Sequence, residues 1–168
     1  MLRHLFTVLV FILLLVSKGM AQSLEQNYWA KSLCGKWLGK GVVMGDSVVY
    51  SASIQFELAN KFLVISLRDT AFKPAYNAAI YIGYDSTQNT FICHWLDDSG
   101  AKNSTVLGYG KLENSGLMTF QFDYPNSPMQ TSISLIENVD AWFFNSILLT
   151  ARGTPQTFGE VHFIRCKE

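Results

Sequence analysis

The sequence predicts an all-β domain, an up-and-down antiparallel β-barrel of eight to ten strands that follows one short N-terminal helix. From Gly35 onward, apolar and polar residues alternate with a period of two, which is typical of half-buried strands. Turn sequences such as Met44-Gly45-Asp46 recur about every ten residues, which leaves no room for crossover helices and makes the sheet antiparallel. Consecutive hairpins with one apolar face close most naturally into a barrel, because closure removes the edge strands. A two-sheet sandwich is the alternative.

Residues 1–21 have the pattern of a secretory signal peptide. A basic start at Arg3 precedes an unbroken apolar run from Leu5 to Val16, and small residues stand three and one positions before a cut at Gln22. The run is shorter than the roughly 20 residues that a membrane-spanning helix needs. We therefore expect an exported chain, periplasmic or secreted, with no membrane span after cleavage.

Residues 22–168 are predicted to form one domain, since this length suits a single hydrophobic core. Hydrophobic residues make up 49% of the chain and charged residues 15%, so most of the domain can be core-forming. Removing Arg3 and Lys18 with the signal leaves the 13 acidic residues in slight excess over the basic ones. Without a basic stripe, no nucleic-acid partner is predicted.

The first element of the domain is a short amphipathic helix, predicted over residues 23–34. Ser23 and Gln26 fit a capping box, and Gly35 can end the helix in the left-handed conformation. Three apolar residues are spaced to share one face: Leu24, Trp29 and Leu33. Because so short a helix is unstable alone, this face is expected to pack on an end of the barrel.

Ten strands are predicted to follow the helix. In the second, Ile54 and Phe56 alternate with Gln55 and Glu57, which predicts one buried and one solvent-facing side. The central hairpin consists of two apolar runs joined by the turn-forming residues 85–89. The strands are placed at about 36–43, 47–59, 61–69, 78–84, 90–97, 104–112, 117–124, 130–137, 140–149 and 157–166.

Three sequence patterns carry a family resemblance. They are Gly35-x-Trp37-x-Gly39-x-Gly41 in the first strand, Gly83-Tyr84-Asp85 followed by Trp95-x-Asp97-x-x-Gly100 in the central hairpin, and Phe163-Ile164-Arg165 in the last strand. Together they resemble bacterial lipocalin-like, calycin-type barrel domains of unknown function. The resemblance implies that Arg165 lies across Trp37 and plugs one end of the barrel. Chain order agrees, because an antiparallel barrel of consecutive hairpins pairs the start of its first strand with the end of its last.

The three cysteines are expected to differ in role. Closure of the barrel brings Cys34 and Cys166 to neighbouring strand ends, where an oxidising compartment could join them. Spacing alone does not fix the Cα separation that a disulfide requires, so both the bridged and the free state remain open. Cys93 lies mid-strand between apolar residues and is predicted to be a buried apolar filler.

No catalytic residue, metal site or cofactor is predicted. His94 and His162 are the histidines left after cleavage, and no further ligands stand at metal-binding spacing. His94 is expected to have a satisfied hydrogen bond. An alternative hypothesis, based on related barrels that bind haem through a histidine, makes His162 the haem ligand by its position near the last strand. Asp97 and Asp98 are predicted to cap a strand end, since neighbours on a strand point to opposite faces. Arg68 is expected to face solvent.

Side chains on the inward faces decide whether the barrel is hollow or filled. The candidate ligand-binding residues are the inward aromatics Trp37, Phe56, Phe120 and Phe122. Gly39 and Gly41 are expected to leave interior room, and the irregular connections 70–77 and 150–156 are candidates for the barrel mouth.

We therefore predict an exported, non-enzymatic barrel that binds a small apolar or amphipathic ligand. The alternative is a filled barrel that acts through its surface as an interaction or accessory module. An enzyme ranks last, because no nucleophile with a base, or acid with a base, can be assembled from the residues. A cavity above about 300 Å³ would favour the binding protein. The sequence identifies neither the ligand nor the oligomeric state.

Overall fold

The structure, a computed structural model, describes residues 23–71, 75–149 and 154–167. Its strands form one closed antiparallel barrel in the order β1-β10-β9-β8-β7-β6-β5-β4-β3-β2. The predicted barrel is therefore confirmed, and the sandwich alternative was wrong. The predicted signal peptide, residues 1–21, lies outside the described residues. The strands are β1 (Gly35–Val43), β2 (Asp46–Glu57), β3 (Phe62–Asp69), β4 (Asn77–Asp85), β5 (Thr90–Asp97), β6 (Leu107–Leu112), β7 (Leu117–Phe122), β8 (Met129–Ile136), β9 (Ala141–Leu149) and β10 (Pro155–Arg165).

Most strand ends fall within two residues of their predicted positions, and the largest differences have local causes. β6 begins at Leu107 and not at residue 104, because a 3₁₀ turn over Ala101–Asn103 occupies the preceding chain. At the end of β2, three successive residues adopt positive φ, from Leu58 at 50° to Asn60 at 62°, which breaks the strand earlier than the apolar pattern suggests.

The N-terminal helix, α1 (Tyr28–Leu33), is shorter than predicted. Residues Leu24–Gln26 form a separate 3₁₀ turn, and the chain is extended at Asn27. The predicted capping role of Ser23 was wrong, because its side chain makes no capping hydrogen bond. The Asn27 side chain caps α1 instead, accepting a hydrogen bond from the Ala30 N–H at 3.3 Å. Within the described part of the chain, no helix is long and apolar enough to cross a membrane.

The barrel closes where β1 pairs with β10, with Trp37 opposite Arg165. The Arg165 guanidinium carbon lies 4.1 Å from the centroid of the Trp37 ring, the contact expected from chain order. The same guanidinium donates hydrogen bonds to the carbonyls of Cys34 (2.7 Å) and Ser32 (2.8 Å) at the end of α1. Trp37 donates from Nε1 to the Leu33 carbonyl at 2.8 Å. We call these residues and α1 together the plug of the barrel.

The core is densest beside the plug. Trp142 stacks on Phe163 with ring centroids 3.8 Å apart and meets Trp37 edge-on at 6.3 Å. A Cβ on Gly39 would collide with the Phe163 ring, and one on Gly41 would collide with the β10 backbone. The expectation that these glycines leave room for a ligand was therefore wrong, since a packed ring and a neighbouring strand occupy that space. Glycine is required there for close packing.

Candidate functional site

A cavity of about 950 Å³ lies inside the barrel, beyond the plug. Side chains from turns at one barrel end line it, including Met44 of the β1–β2 turn, Lys102 of the β5–β6 connection and Asn126 of the β7–β8 connection. These turns lie at the end opposite α1, because successive hairpin turns alternate between the two ends of an up-and-down barrel. The cavity is therefore a blind one, closed by the plug and open at the other end, which we call the mouth.

The deep wall of the cavity is apolar. Alternation along each strand turns one residue in two into the barrel, so neighbouring strands contribute a continuous hydrophobic surface. The residues of the deep wall are Ile65, Ile80, Cys93, Phe120, Ile133, Trp142, Val161 and Phe163. Such a surface suits the apolar body of a small molecule. The filled interior, which was the alternative to a binding cavity, is therefore not what this barrel has.

A chain of three polar side chains lies at the mouth. Trp95 donates from Nε1 to the Tyr76 hydroxyl at 3.0 Å, and Tyr76 donates to the Asp97 carboxylate at 3.0 Å. Burial raises the pKa of Tyr76 well above its ordinary value, so the hydroxyl keeps its proton at neutral pH and remains a donor. Asp97 also accepts the Ser99 N–H at 3.0 Å. These bonds hold Tyr76 and Trp95 in fixed positions on the cavity wall.

Beside this chain, Tyr50 and Asp69 form a directly opposed pair on β2 and β3. Both are buried, with 6% and 3% of their surface exposed, and both line the cavity. Burial, together with the negative charge of Asp69, raises the pKa of Tyr50 to about 12. The Ala71 N–H donates to Oδ1 of Asp69 at 2.7 Å. The Tyr50 and Tyr76 ring centroids lie 6.3 Å apart.

Other buried polar groups of the wall are paired with each other or lie among apolar side chains. Thr131 and Ser146 hydrogen-bond to each other at 3.0 Å. Burial raises the pKa of the Cys93 thiol, which disfavours the reactive thiolate. No histidine is among the described residues that line the cavity, and nowhere in the described chain do three metal-ligating side chains converge.

Of the four aromatic residues predicted to line a binding site, Phe120 lies on the cavity wall. Trp37 and Phe122 are almost completely buried in the core, and Phe56 is half-buried against it. The alternation predicted which residues face inward but not the position of each one along the barrel axis.

Sequence reasoning missed the polar residues of the mouth, Tyr50, Asp69, Tyr76 and Trp95. Asp69 could have been found, since it continues the inward series of Ile65 and Leu67.

Other predicted placements can be checked directly. His94 Nε2 lies 2.9 Å from the Ser104 carbonyl oxygen, so this ring has the expected partner, and His162 is exposed on β10. Asp98 accepts the Asn77 N–H at 2.9 Å, which is the predicted capping role. Arg68 is exposed, as expected. Parts of both predicted mouth connections, residues 72–74 and 150–153, lie outside the described residues.

Cys34, Cys93 and Cys166 are all free. The backbones of the two strand ends do meet, since the Cys166 N–H bonds to the Lys36 carbonyl at 2.9 Å. The disulfide considered for Cys34 and Cys166 is nevertheless absent. The Cys34 thiol turns toward the Ala30 carbonyl of α1, 3.5 Å away, and Cys166 is exposed. Cys93 is 2% exposed, which matches the predicted buried filler.

No family model matches the chain, and neither does any curated protein sequence. A solved structure does match, that of an S-type phycobiliprotein lyase from Guillardia theta. The superposition covers 87% of this chain and 94% of the lyase chain, with a TM-score of 0.60 and 12% sequence identity. The two chains share a fold. The barrel is thus a known architecture, and its function must be argued from its own cavity.

Proposed function

We propose that this chain is an exported member of the bacterial lipocalin-like domains that holds one small apolar or amphipathic molecule in its barrel without transforming it chemically. The observation that carries the proposal is the blind cavity of about 950 Å³. This volume lies in the range of small-molecule sites, about 300–1,000 Å³. A filled barrel acting through its surface would have no use for such a space.

The distribution of polarity supports binding of an amphipathic molecule. The deep wall is hydrophobic, so an apolar body that enters it leaves water without losing hydrogen bonds. The polar side chains cluster at the mouth, where the buried Asp69 and the bonded Tyr76 offer partners to one polar group. A molecule with an apolar body and a single polar end matches this arrangement.

Binding without chemical transformation is favoured by the state of the wall groups. The Cys93 thiol has a raised pKa and, in the described wall, no basic side chain beside it that would take its proton. The Thr131 and Ser146 hydroxyls bond to each other. Neither the Cys93 thiol nor the Thr131 and Ser146 hydroxyls therefore have a base that would activate them as nucleophiles.

A neutral fluorescent dye such as Nile red tests the cavity directly. We expect one dye per chain to bind saturably, with energy transfer from Trp95 and Trp142, which line the cavity. Leu67→Trp adds bulk from the wall and should weaken binding about tenfold, since overpacking a site costs of order 1–3 kcal/mol. Leu38→Trp is the matched control, because Leu38 faces outward on β1.

Failure of the wild-type protein to bind the dye saturably would refute the proposal. Equal binding by Leu67→Trp and Leu38→Trp would place the dye outside the cavity and refute it as well. In an independent measurement, native mass spectrometry of protein purified from its own host should detect a co-purifying small molecule if the proposal is right.

Export is the second part of the proposal, and it rests on the signal-peptide pattern of residues 1–21. Mass analysis of periplasmic and secreted material should find a mature chain that begins at Gln22. A full-length chain retained with its N-terminal Met1 in the cell would contradict this part and leave the binding proposal untouched.

A further inference from the structure

The polar groups at the cavity mouth are unevenly charged. Three carboxylates line this region, those of Asp46, Asp69 and Asp97, whereas Lys102 is the one cation among the described lining residues. Asp46 and Lys102 are exposed at the rim, where water screens them. Asp69 is different, because only 3% of its surface is exposed. A buried charge acts on a ligand much more strongly than an exposed one.

Asp69 also has unused hydrogen-bonding capacity. A carboxylate can accept about four hydrogen bonds, and among the described residues Asp69 receives one, from the Ala71 N–H to Oδ1. The Tyr50 hydroxyl, opposite it, has no hydrogen-bond partner in the described part of the chain. Buried carboxylates and hydroxyls normally have hydrogen-bond partners, either in the protein or in ordered water. A ligand group that donates hydrogen bonds would satisfy both.

Aromatic rings line the same part of the cavity. Tyr50 and Tyr76 have ring centroids 6.3 Å apart, and Trp95 is fixed beside them by its bond to the Tyr76 hydroxyl. Ring faces attract cations, and a carboxylate with several aromatic rings is a common environment for a bound ammonium group.

We infer that the cavity selects an amphipathic amine, with its protonated amino group at Asp69 and Tyr50 and its apolar body along the deep wall. This inference rests on the proposed binding function and adds the class of ligand. A fatty acid is disfavoured, because its carboxylate would lie beside the buried charge of Asp69. The desolvation of Asp69 takes place on folding, so the amine meets a preformed acceptor.

Three decyl chains that differ only in their head groups test the inference: decylamine, decanol and decanoate. Each is titrated at neutral pH against wild-type protein loaded with Nile red, with decylamine and decanoate kept below their micelle concentrations and decanol below its solubility limit. We expect decylamine to displace the dye about tenfold more effectively than decanol, as for a hydrogen bond to a charged group, and decanoate to be the weakest. Decanoate equal to or better than decylamine would overturn the inference and point to Lys102.

Variants locate the selectivity. Asp69→Asn keeps the shape of the side chain and should abolish the advantage of decylamine over decanol. Asp123→Asn is the matched control, since it removes the same charge from an exposed residue that does not line the cavity and should retain the advantage. Tyr50→Phe should reduce the advantage about threefold. Amine selectivity that survives Asp69→Asn would overturn the inference.

The failures of the two proposals can be told apart. Displacement by decanol with no preference for decylamine leaves the binding cavity intact and refutes its selectivity for amines. Displacement by none of the three chains also refutes the inference, whereas the binding proposal is decided by the dye titration itself. The wild-type comparison needs no variant, so it decides the matter even where Asp69→Asn does not fold.

Discussion

Replacing Arg165 tests whether the plug stabilises the closed barrel. Arg165→Met keeps a long apolar side chain but removes the guanidinium and all its polar contacts. These are the Trp37 ring at 4.1 Å, the Cys34 and Ser32 carbonyls at 2.7 and 2.8 Å, and the Asp140 carboxylate at 2.7 Å from Nε. The variant is expected to fold and to be clearly less stable.

The magnitude follows from these contacts. A cation over Trp contributes about 1 kcal/mol at a partly exposed site. The two bonds to the carbonyls contribute about 1 kcal/mol each, the typical net value for a hydrogen bond, because water can replace the guanidinium once it is gone. Asp140 has 60% of its side chain exposed, so that ion pair adds only about 0.5 kcal/mol. Arg165→Met should therefore lose about 3.5 kcal/mol, which is roughly 10 °C in melting temperature for a domain of this size.

Urea unfolding followed by Trp fluorescence measures the loss. Lys40→Met is the control, since Lys40 is an exposed cation on the outer face of β1 and should cost less than about 0.5 kcal/mol. In a double-mutant cycle with Trp37→Leu, the two losses should add to about 1 kcal/mol more than the double variant shows. Strict additivity, or an Arg165→Met variant as stable as the control, would refute the assigned role of the plug.

Two further predictions concern the wall. Tyr50 holds its proton up to a pKa of about 12 in the folded state against about 10 when unfolded, so its contribution to stability is complete below pH 10 and is lost as the pH rises toward 12. Tyr50→Phe should flatten that alkaline decline in unfolding free energy, and an unchanged slope would contradict the assignment. Gly39→Ala should cost about 1–3 kcal/mol in urea unfolding, because Phe163 must leave its stack on Trp142, whereas Ser51→Ala on the outer face of β2 should be near neutral. Equal stability of these two variants would show that the Phe163 ring can move aside without cost, which would contradict the prediction.

The barrel could be predicted from sequence because its determinants are local and periodic. Inward and outward residues alternate through β2 and β7, and the β1–β2 turn carries Met44 and Gly45 at positive φ, as a two-residue hairpin requires. Even the pairing of Trp37 with Arg165 follows from chain order once closure is assumed. The helix start was harder, because Ser23 and Asn27 are both good capping residues and only the extended backbone at Asn27 decides between them.

The cavity could not be predicted, because its existence depends on the position of each inward-facing side chain along the barrel axis. Trp37, Trp142 and Phe163 meet in one layer beside the plug, where a one-dimensional pattern shows only that they point inward. The mouth half combines the small side chains of Leu67, Thr131 and Ser146 with the rings of Tyr50, Tyr76 and Trp95 on the wall, and the space between them stays open as the cavity.

The plug and the mouth together fix the orientation of an amphipathic occupant. Because α1 and the Trp37–Arg165 contact close one end, a molecule must enter the blind cavity through the mouth. Its apolar end must lead, since the deep wall is almost entirely apolar, and among the nitrogen and oxygen atoms of its described side chains only Trp142 Nε1 is left without a partner. The polar end then arrives at the height of Tyr50 and Asp69. Selectivity for the head group therefore resides at the mouth, while the plug sets the depth available to the apolar body.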